Sequence, residues 1–106
     1  MMLKDKKSAS FFEQIEKAIK RNDIISIQHR ITAFLACYFD IIFAINKKLH
    51  PGEKRLIQYA KLNCIILPNK FAENLENLII SADKNKIEIL NNIIFELRKI
   101  LPNNIK

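Results

Sequence analysis

The stretch from Asp23 to Arg55 constrains the fold more than any other part of the sequence. Residues 24–49 repeat apolar side chains at helical spacing, which predicts one long central helix packed against several others. The expected buried face carries Ile27, Ile31, Phe34, Leu35, Tyr38, Ile41, Ile42, Ile45 and Leu49, with Phe39 and Phe43 on its flank. The opposite stripe is small or polar. Asp40 is the only charge between residues 31 and 45, and this run is shorter than the roughly 20 apolar residues of a membrane span. We therefore interpret it as a core helix.

A helix stop is predicted at residues 50–52, His-Pro-Gly. Proline disfavours helical geometry in the residue before it and suits the first turn of a new helix. Pro51 is therefore expected to open a third helix, with Glu53 in its first turn, where a negative charge suits the helix dipole. Gly52 is the only glycine in the chain, and this scarcity favours an all-helical protein.

The flanking segments predict four shorter helices. Ser10 and Glu13 form a capping box that is expected to open the first helix, after a mobile basic tail at residues 1–9. Asp23 is a good N-cap for the central helix. The third helix is expected to end before Pro68, and Asn69 to cap the fourth.

The last break is expected at residues 81–83, followed by a fifth helix that ends at residues 102–104. We predict an all-α fold, an up-and-down bundle of about five helices around the long central helix. The length suits one domain, which we place at residues 10–106.

The net charge of +7 and the pI of about 9.6 invite an anionic partner. The lysines are scattered, however, and no exposed aromatic set is interleaved with them, so solvated faces are the better interpretation. Cys37 and Cys64 lie in apolar helical contexts and are expected to be buried free thiols. The N-terminus lacks the apolar segment of a signal peptide, so a cytoplasmic location is expected.

The sequence offers few groups for chemistry. His29, His50, Cys37 and Cys64 share no zinc-ligand spacing. Asp40 is interpreted as a carboxylate at a helix edge, paired or solvated, with Lys47 or His50 as its candidate partner.

The most concentrated basic feature brackets the helix stop, as Lys47, Lys48, Lys54 and Arg55. If these side chains converge, they form an anion site near a helix start. If they diverge, they are ordinary helix-end charges.

Residues 43–54 carry the pattern Phe-Ala-x-Asn-Lys-Lys-x-His-Pro-Gly-Glu-Lys. This segment resembles the C-terminal helical domain that follows the catalytic domain in certain bacterial and archaeal nucleotidyltransferases, distant relatives of the kanamycin nucleotidyltransferase type. The resemblance covers the middle third of the chain. HEPN-like helical domains, often paired with small nucleotidyltransferases, are a related class; their RNases carry an Arg-x(4–6)-His motif that this chain lacks.

The resemblance implies a non-catalytic accessory or substrate-binding domain. The chain has neither the Gly-Ser turn nor the Asp-x-Asp pair of such enzymes, so it is not expected to transfer nucleotides alone. No cofactor is expected in this chain, because nucleotide and Mg²⁺ would be bound mainly by the missing catalytic domain, present in cis or in trans. By analogy, six side chains would face the substrate cleft: Asp40, Asn46, Lys47, His50, Glu53 and Lys54.

Two other interpretations remain open. A basic helical protein that binds nucleic acid would bind less tightly as salt rises, because counterions are released when phosphates are neutralised. A homodimeric interaction module would need an exposed apolar patch on its helices. No membrane association is expected.

Overall fold

The computed structural model describes the backbone of residues 5–52 and 54–101, and the side chains from residue 13 onwards within those ranges. Its α-helices are α1 (Asp5–Lys20), α2 (Ile24–Ile45), α3 (Leu56–Asn63), α4 (Phe71–Ile80) and α5 (Lys86–Ile100), and a 3-10 turn at Asp83–Asn85 precedes α5. The described ranges contain no strand. The predicted all-α bundle of five helices is therefore confirmed.

The first helix starts earlier than the capping box predicts. α1 begins at Asp5, so the prediction that Ser10 opens it is wrong. Residues 5–9 contain no helix breaker, so the helix extends N-terminal to Ser10. Residues 1–4 of the predicted tail lie outside the described residues.

α1 and α2 are joined with almost no linker. The N–H groups of Asn22 and Asp23 donate to the carbonyls of Ile19 and Ala18, both at 3.0 Å, while Asn22 has a left-handed φ of 54°. This is the Schellman arrangement that closes a helix. Asp23 is also the N-cap of α2, as predicted, because its carboxylate accepts from the Ser26 N–H at 3.2 Å and from the Ser26 hydroxyl at 2.8 Å.

The buried face of α2 follows the predicted pattern over most of its length. The buried side chains are Ile27, Ile31, Phe34, Tyr38, Phe39, Ile41, Ile42 and Phe43, and the small and polar stripe opposite them is exposed. Leu49 was expected on the same face but is 90% exposed. The reason is that α2 ends at Ile45, before Leu49 is reached.

Aromatic contacts connect α2 to its neighbours. The Phe71 ring at the start of α4 lies 6.2 Å from Tyr38 and 6.1 Å from Phe39, measured between ring centroids. The Tyr59 ring of α3 lies 5.8 Å from Phe43. α1 packs against α2 and α5, and α4 packs against α5, which closes the bundle.

The starts of α3 and α4 differ from the sequence prediction. α3 begins at Leu56, so Pro51 is not in its first turn, and α4 is preceded by Lys70 rather than capped by Asn69. Both helices follow a left-handed residue, Arg55 with φ 52° and Lys70 with φ 57°. In each case a backbone carbonyl accepts the first helical hydrogen bond, and no side chain caps the helix.

A buried lysine at the start of α5 contacts the end of α4. Lys86, the first residue of α5, is 6% exposed, and its ammonium group donates to the carbonyls of Leu78 and Ile79. These carbonyls belong to the last turn of α4, where a positive charge complements the helix dipole. Across residues 5–52 and 54–101, no helix has both the length and the apolar character needed to cross a membrane.

Candidate functional site

Asn46 organises the end of α2, where the sequence placed most of the candidate site. Its side-chain nitrogen donates to the carbonyls of Ile42 and Ile66 at 2.9 and 2.8 Å. Its side-chain oxygen accepts from the Ile66 N–H at 2.8 Å. Both N–H groups of this amide and one acceptor position of its oxygen are thus paired with backbone groups. Asn46 fastens the segment after α3 to the end of α2.

The backbone around Asn46 ends α2 earlier than predicted. Lys47 has a left-handed φ of 57°, and the N–H groups of Lys47 and Lys48 donate to the carbonyls of Ala44 and Phe43 at 3.1 and 2.9 Å. This second Schellman arrangement closes α2. The predicted stop at residues 50–52 was therefore late, because Asn favours a helix end over a helix interior.

His50 is a turn residue in the structure. The Gly52 N–H donates to its Nδ1 at 3.1 Å. The imidazole also packs against Phe43, with ring centroids 5.3 Å apart in an edge-to-face arrangement. Gly52 has φ 103°, a conformation that residues with a Cβ rarely adopt. The turn thus uses both the imidazole and the glycine.

Among the remaining predicted site residues, those that the structure describes are not brought together by direct contacts. Asp40, Lys47 and Lys54 are exposed, and Glu53 lies outside the described residues. Within the described ranges, no hydrogen bond or ion pair joins Asp40 to Lys47 or His50. Pairing of Asp40 with Lys47 or His50 is therefore not observed, which leaves the solvated alternative. The exposure of Asp40 removes the need for a partner, since water solvates the carboxylate.

A mixed apolar and basic surface surrounds Asn46 instead. Because Asn46 holds Ile66, the neighbouring Ile65 projects into solvent and is 97% exposed. The same end of the bundle carries exposed leucine and lysine side chains from the connection after α2. We call this the Asn46 surface, and its members are Asn46, Lys47, Lys48, Leu49, Ile65 and Ile66.

Cys64 is a buried thiol that directly precedes Ile65 and Ile66 of the Asn46 surface. Burial raises the pKa of the Cys64 thiol, and the charge of Lys48 offsets part of that rise. Cys37 and Cys64 are both free thiols, as expected, although Cys37 is only half-buried.

A second feature, an open apolar groove, was not anticipated from the sequence. It measures about 410 Å³ and lies between α2, α3 and α4. Its lining residues are Leu35, Phe39, Arg55, Leu56, Ile57, Gln58, Leu75, Glu76, Ile79 and Ile80. Ile79 and Ile80 are both exposed. The run Leu78-Ile79-Ile80 is wider than one helical stripe needs, and this was the available sequence signal.

The described residues contain no group of three or more His, Cys, Asp or Glu side chains that could hold a metal ion. The two surfaces instead present apolar side chains together with a few exposed charges, an arrangement suited to binding. No protein-family model matches the chain, and neither curated proteins nor solved structures show a match to it. The resemblance to nucleotidyltransferase helical domains accordingly rests on the sequence pattern at residues 43–54.

Proposed function

We propose that this chain is a non-catalytic accessory domain that docks on the catalytic domain of a nucleotidyltransferase, in cis or in trans, through the Asn46 surface. The observation that carries this proposal is the pair of hydrogen bonds between Asn46 and Ile66. They hold exposed isoleucines beside Lys47 and Lys48. A cytoplasmic location is part of the same proposal.

The apolar part of the Asn46 surface supports docking on a protein. Ile65 and Leu49 are almost entirely exposed. Single exposed apolar residues are ordinary, but neighbouring ones that are held in place by the fold are typical of interaction sites. Asn46 restricts the motion of Ile66 before any partner binds, so less conformational entropy is lost on association.

The basic part of the surface supports a role beside a nucleotide. Lys47, Lys48 and Lys54 are exposed, and none of them forms an ion pair with another described residue. In the proposed complex these lysines attract the nucleotide phosphates. Asp40 and Glu53 would line the cleft, while Asn46 and His50 shape the turn. The catalytic domain would supply the nucleotide and Mg²⁺ sites.

The net charge of +7 supports nucleic-acid binding as a second candidate function. In that case the same lysines would contact backbone phosphates. Binding to a generic RNA or DNA duplex would then fall steeply between low and physiological salt. Docking through Ile65 would be far less sensitive to salt, because it depends mainly on apolar contact.

Affinity capture from the native organism, read by mass spectrometry, tests the docking proposal. We expect wild-type chain to be recovered with a catalytic domain that carries a Gly-Ser turn and an Asp-x-Asp pair. Ile65→Ser should lose a partner bound in trans, whereas Ile25→Ser, at another exposed isoleucine near the start of α2, should retain it. Equal recovery by both variants, or recovery of nucleic acid alone, contradicts the proposal.

If the catalytic domain lies on the same polypeptide, limited proteolysis replaces capture as the measurement. Docked domains protect the connection between them, so Ile65→Ser should speed its cleavage and Ile25→Ser should not. The lysines are tested separately by nucleotide affinity of the complex. Lys47→Glu should weaken it, and Lys20→Glu, at an exposed position on α1, should not.

A further inference from the structure

We propose that the groove between α2, α3 and α4 is the interface of a symmetric homodimer, in which α4 of a second copy occupies the groove. This interface is separate from the Asn46 surface and does not depend on the accessory-domain function. The groove is open to solvent and apolar along most of its lining. The shape of the groove, its local charges and the net charge of the chain point to a second copy as the occupant.

α4 itself supplies the complementary shape. This helix forms one wall of the groove through Leu75, Glu76, Ile79 and Ile80, and Ile80, at the end of the helix, is 78% exposed. α4 thus supplies part of the groove and, at the rim of the groove, an apolar side chain that projects into solvent. In a dimer with a twofold axis beside α4, Ile80 of each copy enters the groove of the other copy. Self-complementarity of this kind is the requirement of an isologous dimer.

The charged side chains that line the groove are also complementary to those of a second copy. Arg55, at the start of α3, and Glu76, on α4, both line the groove and are both exposed. Neither side chain forms a hydrogen bond or an ion pair with any described residue. Across a twofold axis, Arg55 of each copy faces Glu76 of the other. The dimer therefore gains an ion pair at each end of the interface.

The net charge of the chain disfavours non-specific association between copies. Two copies of a chain with net charge +7 repel one another. Attraction must therefore come from apolar burial together with a local pairing of opposite charges. The repulsion acts over about 30 Å at 0.01 M salt and about 8 Å at 0.15 M. Dimerisation should consequently strengthen over this range, the opposite of the trend expected for nucleic-acid binding.

Sedimentation equilibrium of the full chain, from micromolar to near-millimolar concentration, measures the association directly. We expect a monomer–dimer equilibrium in the wild type. Ile80→Ser should weaken the dimer at least about tenfold, because it removes the apolar projection at both ends. Ile25→Ser is the matched control and should leave the dimer unchanged. A wild type that stays monomeric over the whole range overturns the proposal.

Charge reversal gives a sharper test of the symmetry. Arg55→Glu and Glu76→Arg should each weaken self-association by at least about tenfold, because each places like charges opposite one another. A mixture of the two single variants should form a heterodimer of wild-type strength, since every pair across the interface is then opposite in sign. Lys54→Glu and Glu73→Arg are controls at exposed positions outside the groove lining.

Two results would overturn this arrangement. One is a wild-type dimer that both single variants form equally well, and the other is a mixture that remains monomeric while its components are folded by circular dichroism. Failure here is distinct from failure of the accessory-domain proposal. Ile65→Ser should leave the homodimer intact, and Ile80→Ser should leave capture of a catalytic domain intact.

Discussion

The side-chain amide of Asn46 pairs with both backbone polar groups of Ile66, twenty residues away in sequence, at 2.8 Å in each direction. A single side chain therefore holds the segment after α3 against the end of α2. Asn46 also contacts the carbonyl of Ile42, so the same group closes its own helix. The end of the bundle depends on this residue for its arrangement.

Replacing Asn46 with alanine should destabilise the fold. The change removes hydrogen bonds to Ile42 and Ile66, each worth about 1 kcal/mol, so the free energy of unfolding should fall by about 1–3 kcal/mol. Urea denaturation measures the loss, and hydrogen exchange should show faster exchange at the Ile66 amide. Asn63→Ala is the matched control, because Asn63 makes one local hydrogen bond to Tyr59. Equal losses in the two variants would contradict the proposed fastening role.

Lys86→Met should also lower stability, although it removes a buried charge. The substitution keeps the length of the side chain but leaves the carbonyls of Leu78 and Ile79 without their donor. Hydrogen bonds from charged groups contribute about 1.5–3 kcal/mol, and we expect a loss in that range by urea denaturation. Lys84→Met, at a nearby exposed lysine, should change stability by less than about 0.5 kcal/mol. No difference between the two would mean that water replaces the lysine.

Two leucines, one buried and one exposed, show how much burial alone contributes to stability. Leu90 is 1% exposed in α5, and Leu62 is 84% exposed in α3. Leu90→Ala should cost about 2–5 kcal/mol, because it removes apolar contacts and leaves a cavity. Leu62→Ala should stay within about 0.5 kcal/mol of the wild type in the same thermal or urea unfolding experiment. A large loss at Leu62 would show that this side chain is covered in solution.

The lowered pKa of Asp23 predicts that the stability of the fold depends on pH. Hydrogen bonds from the Ser26 hydroxyl, the Ser26 N–H and Arg21 lower the pKa of its carboxyl below the ordinary 3.8. The stabilisation is therefore fully present above the unfolded-state pKa and is lost as the pH falls through the folded-state value. Asp23→Asn keeps a good N-cap but cannot titrate.

Thermal unfolding of wild type and Asp23→Asn should consequently differ most near neutral pH. The difference should shrink as the pH is lowered below about 4. Asp83→Asn, which changes a carboxylate outside this N-cap, controls for net charge. A difference between wild type and Asp23→Asn that is constant with pH would show that titration of Asp23 does not contribute.

The left-handed residue before α4 offers a stabilising substitution. Lys70 has φ 57°, a conformation that costs about 1–2 kcal/mol for a residue with a Cβ. Lys70→Gly should therefore raise the free energy of unfolding by about 0.5–1 kcal/mol, after the extra entropy of the unfolded chain is deducted. Lys61→Gly, inside α3, should lower it by about 1 kcal/mol. A loss at Lys70 would point to a role for its side chain.

Hydropathy periodicity predicted the helices well because burial in this chain follows the helical repeat. The buried face of α2 and the pattern of α5 are recognisable from the sequence, and the N-cap at Asp23 depends only on local contacts. Helix ends were harder. Lys47, Arg55 and Lys70 adopt left-handed conformations that glycine usually supplies, so the usual sequence signal for these positions was absent.

The candidate site was harder to predict because its arrangement depends on contacts between distant segments. Nothing near Asn46 in the sequence indicates that its amide would pair with Ile66. The groove depends on how far α4 is displaced from α2 and α3, which one sequence does not specify. Lys86 carried a weak signal, since a positive charge in the first turn of a helix is unfavourable without another partner.

Asp23 belongs to two helices at once, and this limits how the protein can open. Its N–H closes α1 through the Ala18 carbonyl, while its carboxylate starts α2 through Ser26. Neither helix end can fray without loosening the other, so α1 and the first turn of α2 should behave as one cooperative unit in native-state hydrogen exchange. α3 is tied to α2 by Asn46 and a few aromatic contacts, and it should open separately and more often. Transient exposure of buried residues in the folded protein would therefore be concentrated at the end of the bundle that contains α3.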